Sequence, residues 1–253
     1  TYLMLVIGRN PVIESIKFSP ESIIKIVLLD VISDNKIKEI ERIAKSKNID
    51  IAKMPKSHFE TILDKNDKSE GISQGIYADV KDFEYTKTTE ILKSLNDKDK
   101  TTLVILDEIQ DPHNFGAVIR TAVSAGADGI IISDKNSVKV NHTVIKSSSG
   151  ATNYIKISKE PNIYKTIEVL QESGYKIIGT VLKTDDDIYN FKFPDKCALV
   201  FGSEGEGLRK NIINLCDSLV KIPMIGKIDS LNVSVSAGVF LYEILRQRST
   251  TQA

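Results

Sequence analysis

The stretch TTLVILDEIQDPHNFGAVIRTA, residues 101–122, decides the fold class. Its first seven residues form an apolar run rich in β-branched side chains, typical of a strand buried on both faces. Asn114 follows where a helix N-cap is expected, and residues 115–125 continue as a helix. A buried strand that leads into a helix in this way predicts an α/β fold with a parallel sheet.

Similar apolar runs recur through residues 101–253 and alternate with helical segments, the last of them predicted from about Leu231 to Arg248. This alternation predicts a mostly parallel sheet covered by helices on both faces. Residues 1–80 show the same alternation on a smaller scale, which predicts a separate, smaller α/β domain. Residues 81–100 are polar and rich in charge, which is typical of a linker.

The overall charge limits the classes of partner. The 253 residues include 34 Lys+Arg and 34 Asp+Glu, so the net charge is zero. This balance argues against a generally basic nucleic-acid binder but leaves room for a local basic groove. No apolar run reaches the roughly 18 residues of a membrane span, and the first residues lack the features of a signal peptide. We therefore expect a cytoplasmic protein without a membrane partner.

The cysteines and histidines give no sign of a metal site. Cys197 and Cys216 lie in apolar surroundings, which predicts buried free thiols in a reducing compartment. Neither they nor the three histidines show the spacing of a metal-ligand set. We therefore expect no metal cofactor.

A second unusual stretch is VFGSEGEGL, residues 200–208, which follows another buried strand. Three glycines are interspersed with Glu204 and Glu206, a pattern that lets the backbone approach a ligand closely. It is not a phosphate loop, because Leu208 stands where that motif requires Lys, and the two carboxylates would repel a pyrophosphate. A glycine-rich turn without a ligand is the alternative interpretation.

The third stretch is IPMIGKIDSLNVSVSA, residues 222–237, which leads into the last helix. Ser230 is expected at the mouth of that helix, where its hydroxyl can cap backbone amides. Asn232 and two further serines follow, and capping combined with a helix interface would also explain them. All three stretches come directly after strands, whose carboxyl ends form the ligand crevice of an open α/β sheet. They therefore predict one site assembled from distant parts of the chain.

Together, NFGAVIRTA, LVFGSEGEGL and IPMIGKIDSLNVSVSAG resemble the three signature motifs of the SpoU (TrmH) group of SPOUT RNA ribose 2′-O-methyltransferases. The order and the spacing of the motifs match as well. The segments LVIGRNPVIESIK and GISQGIYADV are similar to the small substrate-binding domain of the RlmB branch, which modifies a guanosine in large-subunit ribosomal RNA.

The resemblance implies a fold and partners that composition does not show. Residues 101–253 would form a SPOUT methyltransferase domain with a trefoil knot, and residues 1–80 an L30e/L7Ae-like domain that binds the RNA substrate. The cofactor would be S-adenosylmethionine, without a metal. The enzyme would be a homodimer that acts on structured RNA, namely 23S ribosomal RNA or its precursor.

The resemblance also assigns site residues. The positions that match the family's catalytic and substrate-binding residues are Asn114, Arg120, Glu204, Ser230 and Asn232. The positions implied to contact the cofactor are Thr180, Val181, Gly202, Gly205, Ile222, Met224 and Leu231. We interpret Arg120 as an electrostatic group rather than a base, because the pKa of a guanidinium stays above about 12.

Other functions stay open at the level of sequence. Within the same group, a tRNA ribose methyltransferase is the first alternative, although the N-terminal block argues against it because the tRNA enzymes usually lack such a domain. A resistance-type ribosomal RNA methyltransferase shares the two-domain plan and stays open. A knotted RNA-binding protein without activity would be expected to lack Asn114, Arg120 or Glu204, all of which are present. A nucleotide-binding Rossmann enzyme would have its glycine motif after the first strand of the domain, not after a late one.

Overall fold

The computed structural model describes residues 3–66, 73–228 and 230–250. The chain divides into two compact units, Thr1–Glu84 and Tyr85–Ala253. Each contains its own sheet and its own core, so each is described by itself.

The first unit is a four-stranded sheet with three α-helices. Its strands are β1 (Leu3–Ile7), β2 (Ile23–Leu29), β3 (Ile51–Met54) and β4 (Ile76–Lys81). Its helices are α1 (Arg9–Phe18), α2 (Asn35–Ser46) and α3 (Lys56–Asn66). The strand order is β1-β4-β2-β3, in which only the β2–β3 pair is parallel. The predicted small α/β unit is therefore present, with β1 as a strand that the sequence did not signal.

Local chemistry explains the helix α2. The side chain of Asp34 accepts hydrogen bonds from the amides of Lys36 and Ile37 at 3.0 and 3.1 Å, as an N-cap does. Ile37 and Ile40 are fully buried on one face of the helix. Capping and an apolar stripe together explain why this segment forms a helix.

The segment 81–100 differs from the predicted linker. It contains the helix α4 (Thr88–Lys93), and Ile91 and Leu95 are buried in the core of the second unit. Thr86 also donates a backbone hydrogen bond of 2.9 Å to Ile157. The linker prediction is wrong here. The segment is polar overall, but its two apolar side chains, Ile91 and Leu95, pack into the core of the second unit.

The second unit is a six-stranded sheet in which every described pairing is parallel. Its strands are β5 (Thr101–Leu106), β6 (Gly129–Ser133), β7 (Lys156–Glu160), β8 (Lys176–Thr180), β9 (Lys196–Phe201) and β10 (Ser218–Val220). The order is β10-β8-β9-β5-β6-β7. On one side of β5 the strands follow chain order, whereas on the other side β9 lies between β5 and the earlier strand β8. This confirms the predicted α/β class with a parallel sheet.

Helices cover both faces of this sheet. They are α4, α5 (Pro112–Ser124), α6 (His142–Ser147), α7 (Ile163–Glu172), α8 (Lys210–Ile213) and α9 (Val233–Thr250). Ile163 and Ile167 of α7 share a buried cluster with Leu103 of β5. On the other side, the ring of Phe240 in α9 meets Phe201 of β9 edge-on at 5.8 Å between centroids. Strands buried on both faces explain the continuous apolar runs of the sequence.

Within the described residues, no helix is long and apolar enough to cross a membrane. The trefoil knot and the L30e/L7Ae likeness of the first unit stay predictions.

Candidate functional site

A cleft of about 760 Å³ opens in the second unit, where β8 and β9 end and α9 begins. Its position at the carboxyl ends of parallel strands agrees with the crevice expected of an open α/β sheet. The cleft is lined by all the positions that the sequence nominated for the cofactor: Thr180, Val181, Gly202, Gly205, Ile222, Met224 and Leu231. Glu204, Ser230 and Asn232 also line the cleft. The structure thus brings most of the nominated residues together, although the sequence spreads them over more than fifty positions.

The glycine loop, defined here as residues 202–207, closes on itself. Ser203 and Gly207 exchange two backbone hydrogen bonds of 3.0 and 3.2 Å. A Cβ atom on Gly202 would lie 2.1 Å from the carbonyl group of Gly207, and Gly207 has a φ of +68°. These two glycines are therefore required by the loop itself.

Gly205 differs from its neighbours in this loop. A Cβ atom at this position would have no atom of the described residues within 4 Å, and its φ lies outside the left-handed region. Neither packing nor backbone conformation thus explains a glycine here. Gly205 also lines the cleft, where a ligand would need room.

A chain of side-chain hydrogen bonds links the three motifs. Asn232 donates from Nδ2 to Oδ1 of Asn114 at 2.9 Å, and Asn114 donates in turn from Nδ2 to Oε1 of Glu204. These contacts fix the orientation of the Asn114 amide, since its oxygen faces one partner and its nitrogen the other. Glu204 and Asn232 are exposed and Asn114 is half-buried, so a substrate can reach this chain of hydrogen bonds.

The caps of two helices differ from those predicted. Asp111, not Asn114, caps α5: its carboxylate accepts a hydrogen bond of 2.8 Å from the amide of His113, and Pro112 takes the first helical position. Asn232, not Ser230, sits before α9, and its Oδ1 accepts from the amide and the hydroxyl of Ser234 at 2.9 and 2.6 Å. Asn114 is thus released from a capping role, which leaves its amide for the contacts across the cleft.

Arg120 lies apart from this chain of hydrogen bonds. Its Nη1 donates to Oγ of Ser149 at 3.2 Å, and its side chain is exposed. It belongs to α5, nearly two turns beyond Asn114. The structure therefore holds Arg120 beside the loop that follows α6, rather than in direct contact with Asn114.

Asp107, Glu108 and Arg209 form a charged cluster next to the glycine loop that sequence reasoning missed. Arg209 follows the glycine loop and forms a two-pronged ion pair with Asp107, at 2.7 and 2.8 Å. Burial raises the pKa of the Asp107 carboxyl, while Arg209 opposes that shift. The only signal in the sequence was an Asp directly after an apolar strand, which does not reveal a partner 102 positions away.

The two cysteines are free, as predicted; Cys197 is buried and Cys216 is half-buried. Burial raises the pKa of the Cys197 thiol to about 11 and that of Cys216 to about 12, so both stay protonated near neutral pH. In the part of the chain that the structure describes, no group of three His, Cys, Asp or Glu side chains could hold a metal ion.

Comparisons with known proteins agree with the geometry. Residues 101–242 match the model of the SpoU rRNA Methylase family, and residues 5–86 match a model described as RNA 2′-O ribose methyltransferase substrate binding. A Staphylococcus saprophyticus protein named as a TrmH family tRNA/rRNA methyltransferase is 35% identical over 247 residues, which cover 97% of this chain and 96% of that protein.

Solved structures show the same fold. The SpoU methyltransferase AviRb from Streptomyces viridochromogenes, in complex with the cofactor AdoMet, superposes with a TM-score of 0.71 at 23% identity, covering 98% of this chain and 91% of that one. The TrmH/SpoU tRNA modifying enzyme of A. aeolicus is 27% identical with a TM-score of 0.55, and covers 65% of this chain and 83% of its own.

Proposed function

Since the chain belongs to the SpoU rRNA methylase family, we propose that it transfers a methyl group from S-adenosylmethionine to a ribose 2′-hydroxyl of RNA. The observation that carries this proposal is the hydrogen-bonded chain Asn232–Asn114–Glu204 at the mouth of the cleft. It places polar groups from all three motifs beside a cavity that no side chain fills within the described structure.

The residues of the cleft fit this cofactor. A volume of about 760 Å³ lies within the range of small-molecule sites, roughly 300–1,000 Å³. Backbone of the glycine loop would hold the polar parts of the ligand, and Leu231, Met224 and Ile222 would contact its apolar surface. When bound, S-adenosylmethionine supplies an electrophilic methyl group on a sulfonium.

The chain's own contribution is positioning and electrostatics. The Asn114 amide, fixed by Glu204 and Asn232, would hold the ribose in one orientation, which accelerates a displacement by removing unproductive geometries. The Arg120 guanidinium is a cation, so it would attract a phosphate or stabilise negative charge on the ribose oxygen. Ser230, exposed on the cleft wall, would bind substrate.

We further propose that the substrate is 23S ribosomal RNA or its precursor, with a guanosine as the target, and that the enzyme works in the cytoplasm. The support is the first unit, which matches a family model described as RNA 2′-O ribose methyltransferase substrate binding, whereas the alignment with the A. aeolicus tRNA enzyme covers 65% of this chain. In this unit Arg9 pairs with Asp34 at 2.7 Å and Lys36 donates to Asn10 at 2.7 Å. This polar cluster is the proposed RNA contact.

We also propose a homodimer built on α9. Val235, Tyr242 and Leu245 share one side of this helix and are 50%, 51% and 38% exposed. Ile225 and Ile228, in the loop before it, are exposed as well. An apolar strip of this length marks an interaction surface, and a second copy of the chain is the partner that symmetry favours.

The test is methyl transfer with the full chain. Labelled S-adenosylmethionine is incubated with unmodified 23S, 16S and transfer RNA, and the products are digested to nucleosides and identified by mass. We expect 2′-O-methylguanosine from 23S RNA. Methylation of a base, or of transfer RNA alone, would contradict the proposal.

A further inference from the structure

The ion pair between Asp107 and Arg209 joins two parts of the candidate site. Arg209 donates from Nε and Nη2 to both carboxylate oxygens of Asp107, at 2.8 and 2.7 Å. The Asp107 side chain is only 1% exposed and follows directly after β5. Such a two-pronged contact fixes direction as well as distance, because both groups are planar.

The guanidinium is held on further sides. Nη1 of Arg209 lies 3.2 Å from Oε1 of Glu108, and its Cζ lies 5.3 Å from the centre of the Tyr164 ring. Glu108 has a φ of +60°, a left-handed conformation that is unfavourable for a residue other than glycine. Its amide is held by Ser133 at 3.1 Å. The backbone therefore adopts an unfavourable conformation at the point where two carboxylates meet one arginine.

Arg209 stands at one end of the glycine loop. The other end continues from β9, which is fixed in the sheet. Leu208, between the loop and Arg209, is buried and lines the cleft. Arg209 therefore adds a directional anchor at the second end of the loop, next to the buried Leu208.

We propose that Asp107 and Arg209 are positioning residues, which hold the glycine loop in the conformation that binds the cofactor. This inference rests on the proposed function. A role in stability alone is a poor explanation, because a well-packed apolar pair often stabilises a protein as much as a buried ion pair does. The planar fork of Arg209, which lysine cannot reproduce, favours directional placement.

The experiment separates positioning from stability. Arg209→Met leaves the Asp107 carboxylate buried without its main partner, so both the melting temperature and the affinity for S-adenosylhomocysteine should fall. Asp107→Leu combined with Arg209→Met removes the buried charge, so the melting temperature should recover. The affinity, measured by calorimetry, should stay weaker by on the order of 10-fold or more, as small displacements in a site produce.

Arg209→Lys is the second variant, which keeps the charge but not the fork. It should melt near the wild-type temperature and still bind S-adenosylhomocysteine more weakly. Lys98→Met is the matched control, since Lys98 pairs at 2.8 Å with Asp128, whose side chain is 8% exposed, near the amino end of β5. It should lower the melting temperature and leave the affinity unchanged.

Two results would overturn the inference. One is a double variant that regains both stability and affinity; the other is Arg209→Lys with wild-type affinity. A wild-type chain that fails to bind S-adenosylhomocysteine at millimolar concentration would instead refute the proposed function.

Discussion

Asn232 donates a hydrogen bond of 2.9 Å to the amide oxygen of Asn114, although the two residues are 118 positions apart. The same Asn114 amide donates to Glu204. One small side chain therefore connects all three motifs. Its geometry explains why an asparagine is needed, since a carboxylate could not donate to Glu204 and an alanine could contact neither partner.

Replacing Asn114 should affect rate far more than stability. Asn114→Ala removes the group that would orient the ribose, so we expect single-turnover methyl transfer to fall on the order of 10²-fold. The side chain is half-buried and its hydrogen bonds to Glu204 and Asn232 are exposed to solvent, so the free energy of unfolding should fall by only about 1 kcal/mol. The control is Asn162→Ala, which removes the side-chain cap of α7 and should cost about 1 kcal/mol with no loss of rate. An Asn114→Ala enzyme of normal rate would refute the catalytic assignment.

The rate of methyl transfer should depend on both the charge and the shape of the side chain at position 120. Arg120→Ala should lower the transfer rate on the order of 10²-fold, as the loss of an oxyanion donor does. Arg120→Lys should recover little of this, since one ammonium cannot replace a planar fork. Ser149→Gly removes the hydroxyl that accepts from Arg120 but tolerates the φ of +54° at that position, so it should cause a smaller loss. If all three variants transfer methyl groups at the wild-type rate, Arg120 lies outside the site.

Alanine substitutions at two glycines of the loop should have different effects on the stability of the fold. Gly202→Ala would place a Cβ 2.1 Å from backbone atoms of Gly207, so it should destabilise the fold by about 1–3 kcal/mol. Gly205→Ala meets no atom of the described residues within 4 Å and should leave the melting temperature unchanged. Weaker binding of S-adenosylhomocysteine to Gly205→Ala, by calorimetry, would show that the ligand occupies the free space; unchanged binding would place the ligand elsewhere.

The strands and the fold class were predictable from sequence, but several links in the site were not. Strands buried on both faces leave continuous apolar runs that are easily recognised. The cap of α5 was misplaced because Asp-Pro is itself a helix start, and Asn114 lies only two residues beyond the proline. The pairs Asp107–Arg209 and Asn114–Asn232 join residues more than a hundred positions apart. A single sequence carries no record of such contacts, because they depend on which loops meet at the sheet edge.

The thiols of Cys197 and Cys216 should be unreactive in the native protein. Burial raises their pKa values to about 11 and about 12, so at pH 8 the thiolate fraction is on the order of 10⁻³ or less. We expect slow reaction with Ellman's reagent at pH 8 and rapid titration of two thiols in guanidinium chloride. Rapid reaction of either thiol in the folded protein would mean that the second unit opens more readily than its packing suggests.

The final prediction concerns the exposed strip on α9. Tyr242→Asp places a carboxylate on a surface that, in a two-fold dimer, meets its own copy, so the substitution acts twice in one interface. A buried, unpaired carboxylate is strongly unfavourable. At micromolar concentration we therefore expect the variant to sediment as a monomer and the wild type as a dimer. Val31→Asp, at an equally apolar position of the first unit that is 77% exposed, should leave the dimer intact. If the wild type is itself a monomer, or if both variants dimerise equally, α9 is not the interface and the strip must contact another partner.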